Sequence, residues 1–234
     1  MSQRFLVARV AGALALVCSC AAGVQAQNPA PKPSSSSGSR FEAAIGVVWI
    51  GRGDLGAASA TESVSSGPRF VLFSTSTEID AALGLEGRFG FHVSPMWEVE
   101  GIASYTAPEL STTISGDTEN STPATTSVGV KQLTVGGSVT AHLRRFHVGA
   151  EGVPFVEAGA AYVRQVYDGS SVAVSGQMFD GGGGVKYVFS RRPGRISAIG
   201  LRGDIRAVVR RKGVAPDGGT HVSPAAGASL FVLF

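Results

Sequence analysis

Apolar and polar residues alternate with a period of two along most of the chain, and residues 78–94 show the pattern best. Odd positions from Ile79 to Val93 are apolar or glycine, whereas the even positions include Glu78, Asp80, Glu86, Arg88, His92 and Ser94. Only an extended strand places alternate residues on opposite faces. A tilted strand that crosses a bilayer needs about 9–11 residues of this pattern. The segment therefore predicts a membrane-spanning strand with one apolar and one charged face.

Seven further segments have the same alternation. They cover residues 41–52, 96–106, 131–145, 154–167, 177–190, 195–210 and 221–234. Because unpaired backbone groups are costly in hydrocarbon, the first and last of eight such strands must pair. The predicted fold is all-β, an eight-stranded antiparallel up-and-down transmembrane β-barrel.

The predicted connections alternate between long and short. Long polar segments span residues 53–77, 107–127, 168–176 and 211–220, and short turns lie near Pro95, at residues 146–153 and at residues 191–194. Bacterial outer-membrane barrels have short periplasmic turns and long external loops. Both chain ends are therefore expected in the periplasm. In the first long segment, the apolar run 70–73 predicts an extension of strand two, with an exposed edge for a partner as the alternative.

Aromatic residues fall where the predicted membrane boundaries lie. The short-turn end has Phe91, Trp97, Phe155, Phe189 and Phe234, and the long-loop end has Trp49 and Tyr105. Such aromatic girdles are typical of barrels that span a membrane.

The N-terminus reads as an export signal. Arg4 and Arg9 precede an apolar run at residues 10–17, and Ala26 ends a small-residue cleavage site. The predicted domains are a cleaved signal peptide at residues 1–26, a flexible Pro/Ser-rich leader at 27–40 and the barrel at 41–234. Lipid attachment at Cys20 is the alternative.

Cleavage changes what the composition implies. It removes Cys18 and Cys20, so the mature chain is expected to have no disulfide and no cysteine nucleophile. Of the 20 basic residues, Arg4 and Arg9 leave with the signal, and the remaining 18 nearly balance the 17 acidic residues. A nearly neutral chain predicts no nucleic-acid partner.

The polar strand faces are expected to line the barrel interior, which in an eight-stranded barrel is just wide enough to be filled by side chains. Both charge signs are present, so a structural network of buried ion pairs is predicted. Its predicted members are Asp80, Glu86, Arg88, His92, Glu98, Glu100, His142, Arg144, Glu157, Lys186, Arg202, Asp204 and Arg206. A turn at Pro95 would place His92 opposite Glu98 and Arg88 diagonal to Glu100. A gated channel or a binding cavity is the alternative.

Candidate catalytic and cofactor chemistry is sparse. His92 with Ser94, and His221 with Ser223, have a spacing reminiscent of outer-membrane lipid A deacylases, but their phase sends them inward or into a turn. Asp180 and the four glycines after it precede no helix, so a phosphate cradle is not predicted; glycines in a barrel wall allow curvature or leave room for large neighbours. The four histidines are dispersed in sequence. No catalytic residue, metal site or cofactor is therefore predicted.

The chain resembles the small outer-membrane β-barrels of Gram-negative bacteria, the OmpA-like, OmpX-like and OmpW-like group. The resemblance rests on the export signal, the eight alternating strands and the apolar alternation that ends at Phe234. The resemblance covers residues 41–234. It implies an outer-membrane location, contact with outer-membrane lipid and lipopolysaccharide, and recognition of Phe234 by the barrel-assembly machinery. A soluble lipocalin-like barrel is the rival fold.

The resemblance implies fold and compartment more strongly than activity. The expected function is a non-enzymatic, porin-like outer-membrane protein with a structural or surface-interaction role carried by its extracellular loops. A narrow channel or binding site for small or hydrophobic molecules is one alternative, and a lipid A-modifying hydrolase is another. The partner of the loops and any ligand-binding residues are unknown from the sequence.

Overall fold

The computed structural model describes residues 40–63, 69–116, 122–149, 151–169, 171, 173–213 and 219–234. The predicted signal peptide, and the leader except Arg40, lie outside these residues. Within the described ranges, no helix is long and apolar enough to cross a membrane.

The described residues form eleven strands. They are β1 (Phe41–Ile50), β2 (Gly53–Ser63), β3 (Arg69–Ile79), β4 (Ala82–His92), β5 (Trp97–Thr106), β6 (Glu109–Ser115), β7 (Ala124–His142), β8 (Gly152–Tyr167), β9 (Ala173–Arg191), β10 (Ala198–Lys212) and β11 (Thr220–Leu233).

Eight of these strands close into a ring. The order is β1–β4–β5–β7–β8–β9–β10–β11, every neighbouring pair is antiparallel, and β11 returns to β1. At the seam the amide of Phe41 donates to the Phe234 carbonyl at 3.1 Å, and the amide of Phe234 donates to the Phe41 carbonyl at 2.9 Å. The predicted eight-stranded antiparallel barrel is confirmed.

Apolar side chains cover the outer wall of the ring. Ile45 is 69% exposed, Leu83 66% and Leu85 64%. A band of exposed apolar residues of this size is unfavourable in water and is the surface that a bilayer covers. The barrel is therefore a transmembrane one, and the soluble lipocalin-like alternative is wrong.

A charged residue on this outer band should destabilise the barrel in lipid. We expect Leu85→Arg to lower the free energy of unfolding by about 2–4 kcal/mol, because the guanidinium would face hydrocarbon. The measurement is urea unfolding of the barrel refolded in lipid vesicles. Met96→Arg, in the turn between β4 and β5, is the control and should have little effect. Equal stability of Leu85→Arg and the parent would contradict a lipid-facing Leu85.

Strands β2, β3 and β6 correct the prediction that residues 53–77 and 107–127 are loops. With the first part of β7 they form a sheet in the order β2–β3–β6–β7, which continues the barrel wall at the long-connection end. Paired hydroxyls join neighbouring strands, including Ser111 with Ser127 at 3.2 Å and Thr113 with Thr125 at 3.0 Å. Threonine favours strands, and such cross-strand pairs stabilise them. The polar composition therefore predicted loops in a region where the structure has an extension of the sheet.

The apolar run 70–73 lies within β3, as the strand-extension reading predicts. This run pairs with β2, whereas the pairing of β3 with β6 covers only Ser74 to Ile79. Between β3 and β4, Asp80 and Ala81 interrupt the strand and reverse its phase: at the end of β3 the odd positions Thr77 and Ile79 are buried, whereas in β4 the even positions face inward. A one-residue slip moves every side chain to the opposite face. Ile79, predicted to face outward, is therefore only 2% exposed.

Candidate functional site in the barrel lumen

The middle of the lumen holds a layer of buried ion pairs. Arg88 on β4 donates from Nε to Glu86 at 2.7 Å, and from Nη1 to Glu100 and Glu157 at 2.9 Å each. Arg206 on β10 donates to Glu86 Oε2 at 3.0 Å, and its Nε lies 2.9 Å from Asp204 Oδ2. These contacts join strands β4, β5, β8 and β10 across the interior.

Arg202 is the centre of this layer. Its Nη1 donates to Glu100 Oε1 at 2.5 Å and its Nη2 to Glu157 Oε2 at 2.6 Å, and its side chain is fully buried. The guanidinium also lies 4.5 Å from the centre of the Phe155 ring. Because β10 and β5 are four places apart in a ring of eight, the Arg202–Glu100 pair spans the barrel from one wall to the opposite one. Side chains therefore block the middle of the lumen.

A second polar layer lies nearer the short turns. Lys186 on β9 donates to Glu42 on β1 and to Glu98 on β5, at 2.7 Å each. Beside it, the His92 and His142 rings stack with centroids 5.5 Å apart. His92 lies on β4 and His142 on β7. In the ring, β5 lies between these two strands, and this brings both histidines to Glu98.

Acidic groups outnumber cationic ones among the buried side chains that the structure describes. The cations are Arg88, Lys186, Arg202, Arg206 and Arg210, and the carboxyls are Glu42, Glu86, Glu98, Glu100, Glu157, Asp180 and Asp204. Buried charges require compensation. The described lumen thus has more buried carboxyl groups than cationic groups, most evidently where Glu42 and Glu98 share the Lys186 ammonium.

Most of the predicted network residues meet in these two layers, with two exceptions. Asp80 lies in the break between β3 and β4, where its Oδ1 is 3.2 Å from Arg52 Nε and its side chain is 32% exposed. Arg144 follows the end of β7 and is exposed in the turn. Both were placed inside by extending the period of two beyond the point where the strand ends. The structure places His92 opposite Glu98 and Arg88 beside Glu100.

Sequence reasoning missed three buried charges, Glu42, Asp180 and Arg210. Each has the inward phase of its own strand, so the alternation could have found them. The prediction that Phe155 lies at the membrane boundary on the outer face was also wrong, because it did not follow the alternation of its strand. Phe155 shares the phase of Glu157 and is only 2% exposed, inside the lumen.

The glycine run lies within β9 and makes room for the charges on the next strand. A Cβ at Gly184 would lie 2.8 Å from the Asp204 Cα, and one at Gly182 would lie 2.9 Å from the Arg206 Cγ. Glycine is the residue that permits such close approach. The run therefore serves packing of the network, as its structural interpretation predicts.

Apolar residues fill the lumen on the other side of the charged layer. Val48, Ile50, Val163, Met178, Val208 and Ala225 form one buried cluster, and Leu55, Ile79, Leu110 and Val130 form another inside the sheet extension. A cavity lined in part by Glu86, Met178, Asp180 and Arg206 has a volume of about 20 Å³. That is room for about one water molecule.

The two histidine–serine pairs have other partners. Ser223 is buried and accepts a hydrogen bond from Arg210 at 3.2 Å. Ser94 accepts the backbone amides of Met96 and Trp97 at 3.3 and 3.1 Å, which caps the turn. Neither hydroxyl is aimed at the lipid side of the wall.

No protein-family model matches the chain, and no curated protein is detectably similar to it in sequence. Among solved structures, the chain is similar to the outer membrane protein OprG from Pseudomonas aeruginosa, with 12% identity over 84% of this chain and 96% of that one and a TM-score of 0.49. Neisserial surface protein A has 15% identity, coverages of 83% and 97%, and a TM-score of 0.45.

The outer membrane protease OmpT from Escherichia coli has 9% identity, coverages of 87% and 99%, and a TM-score of 0.34. This chain is an eight-stranded transmembrane β-barrel by its own closed strand order and its outward apolar band.

Proposed function

We propose that this chain is a bacterial outer-membrane barrel with a plugged lumen and a non-enzymatic, surface-interaction function carried by the sheet extension. The observation that supports it is the Arg202–Glu100 pair, which crosses the lumen with both side chains buried. A lumen filled in this way passes few ions or solutes. The function is therefore assigned to the exposed surface that the rigid barrel carries. The extension formed by β2, β3, β6 and the first part of β7 is that surface.

Planar-bilayer recording tests the plug. We expect the purified parent to show no steady conductance, whereas the Arg88→Ala/Arg202→Ala double variant conducts ions because two of the three central guanidinium groups are gone. The control is an Arg192→Ala/Arg195→Ala variant, which removes two exposed arginines from the turn between β9 and β10 and should stay silent. Discrete steady conductance in the parent would favour the channel, and a silent double variant would show that the arginines are not the plug.

A further inference from the structure

We propose that His92, His142 and Glu98 form a binding site for one divalent transition-metal ion, of the Zn²⁺ type, at the short-turn end of the lumen. One ligand atom from each of the three residues lies within 4.8 Å of the other two. The residues come from β4, β7 and β5, three adjacent strands of the rigid wall. The inference is independent of the proposed surface function.

The spacing of the ligand atoms fits one metal ion, which would replace the contact of the Lys186 ammonium, now 2.7 Å from Glu98 Oε2. His142 Nε2 lies 2.9 Å from Glu98 Oε2, and His92 Nε2 lies 3.6 Å from the same oxygen. Bond lengths near 2.0–2.2 Å place neighbouring ligands of a tetrahedral Zn²⁺ about 3.3–3.5 Å apart. Both distances are close to that spacing. The two imidazole planes are nearly parallel, with an angle of 11° between them and ring centroids 5.5 Å apart.

Two buried atoms of the cluster lack a partner among the described residues. Glu98 has no exposed surface, yet its Oε1 has no hydrogen-bond donor, and His92 Nδ1 is also unpaired. A buried carboxylate oxygen without a donor is costly. Gly90 leaves the space that Oε1 occupies, because a Cβ there would collide with it. The Glu98 carboxylate thus has one buried acceptor oxygen without a donor.

Charge also favours a cation here. Carboxyls exceed cations among the buried groups, and Glu42 and Glu98 share Lys186. A metal on Glu98 would leave Lys186 with Glu42 at 2.7 Å and Glu100 at 3.5 Å. The alternative trio of Glu42, Glu98 and Glu100 is less suitable, because the Lys186 ammonium already lies among these three carboxylates.

The ligand chemistry selects the class of metal. Two imidazole nitrogens and one carboxylate suit Zn²⁺ and related borderline ions, whereas Ca²⁺ and Mg²⁺ prefer oxygen ligands. Three protein ligands leave a fourth position for water. The His92 side chain is 17% exposed, which gives an approach from the short-turn end.

Isothermal titration with ZnCl₂ tests the proposal. The full barrel, purified without a polyhistidine tag, is refolded in micelles and stripped with a chelator. We expect one Zn²⁺ per chain, with affinity lowered at least ~10-fold in His92→Ala and in His142→Ala. The matched control is His147→Ala, in the exposed turn between β7 and β8, which should bind as the parent does. Circular dichroism checks that each variant is folded.

Histidine NMR of the parent keeps the test independent of any variant. Zn²⁺ should shift the imidazole resonances of His92 and His142 and leave those of His147 and His221 unchanged. The proposal is overturned if the parent binds no Zn²⁺ saturably, if His147 or His221 shifts in place of the pair, or if His147→Ala weakens binding as much as the others.

Discussion

Arg202→Met should lower the free energy of unfolding by about 3–5 kcal/mol, the cost expected when one partner of a buried ion pair is removed. Arg202 donates to both Glu100 and Glu157, and its loss would leave these carboxylates with fewer cations in a lumen that already has more carboxyl groups than cationic groups. Methionine keeps much of the side-chain volume, so the loss of charge dominates. The measurement is urea unfolding in lipid vesicles, followed by the fluorescence of the outward-facing Trp49 and Trp97.

The comparison variant is Glu157→Gln. It also weakens contacts with three arginines, Arg88, Arg202 and Arg206, but it removes one of the surplus carboxyl groups, so we expect a smaller loss of stability than for Arg202→Met. Arg195→Met, in the exposed turn between β9 and β10, makes the same chemical change at the surface and should stay within about 0.5 kcal/mol of the parent. A Glu157→Gln variant less stable than Arg202→Met would contradict the interpretation that the lumen is short of cations.

Phe234→Ala should reduce the amount of folded barrel in the outer membrane several-fold. The resemblance to small outer-membrane barrels implies that this residue is read by the assembly machinery. In the folded barrel its ring lies 6.1 Å from that of Phe41 at the seam. Aromatic pairs of this kind contribute about 0.5–1.5 kcal/mol, so the variant refolded from urea should be only slightly less stable than the parent. A large defect in cells with a small one in vitro would support recognition during assembly.

The measurement is quantitative immunoblotting of outer-membrane fractions, paired with unfolding of the purified variant. Phe146→Ala, in the exposed turn between β7 and β8, is the control and should assemble normally. Equal outer-membrane levels of the parent and Phe234→Ala would show that assembly does not require Phe234. If the amount of folded barrel in cells falls and the stability in vitro falls equally strongly, Phe234 acts only by stabilising the contact between the first and last strands.

The proposed surface function and the proposed metal site use opposite ends of the same barrel. The sheet extension continues four strands at the long-connection end, whereas His92, Glu98 and His142 lie near the short turns. Between them, the Arg202–Glu100 pair closes the lumen. The conductance and Zn²⁺ experiments can therefore succeed or fail separately, and neither depends on the partner of the extension.

The period of two by itself determined the eight barrel strands and which residues face inward on most of them, because a strand alternates its side chains whatever it pairs with. It failed where strands break or end. The interruption at Asp80 and Ala81 reverses the phase before β4, and Arg144 lies beyond the end of β7. The extension strands were missed because hydroxyl pairs, rather than an apolar face, stabilise much of them.

Only the tertiary structure decided which inward residues meet. Ring closure and the stagger of neighbouring strands determine which residues meet across the lumen. Neither can be read from the alternation within one strand. Glu100 and Arg202 are 102 residues apart in sequence, and Glu98 and His142 are 44 apart. The sequence thus determined a barrel with a charged interior, whereas closure determined that ion pairs cross this interior and that it contains a histidine–glutamate cluster.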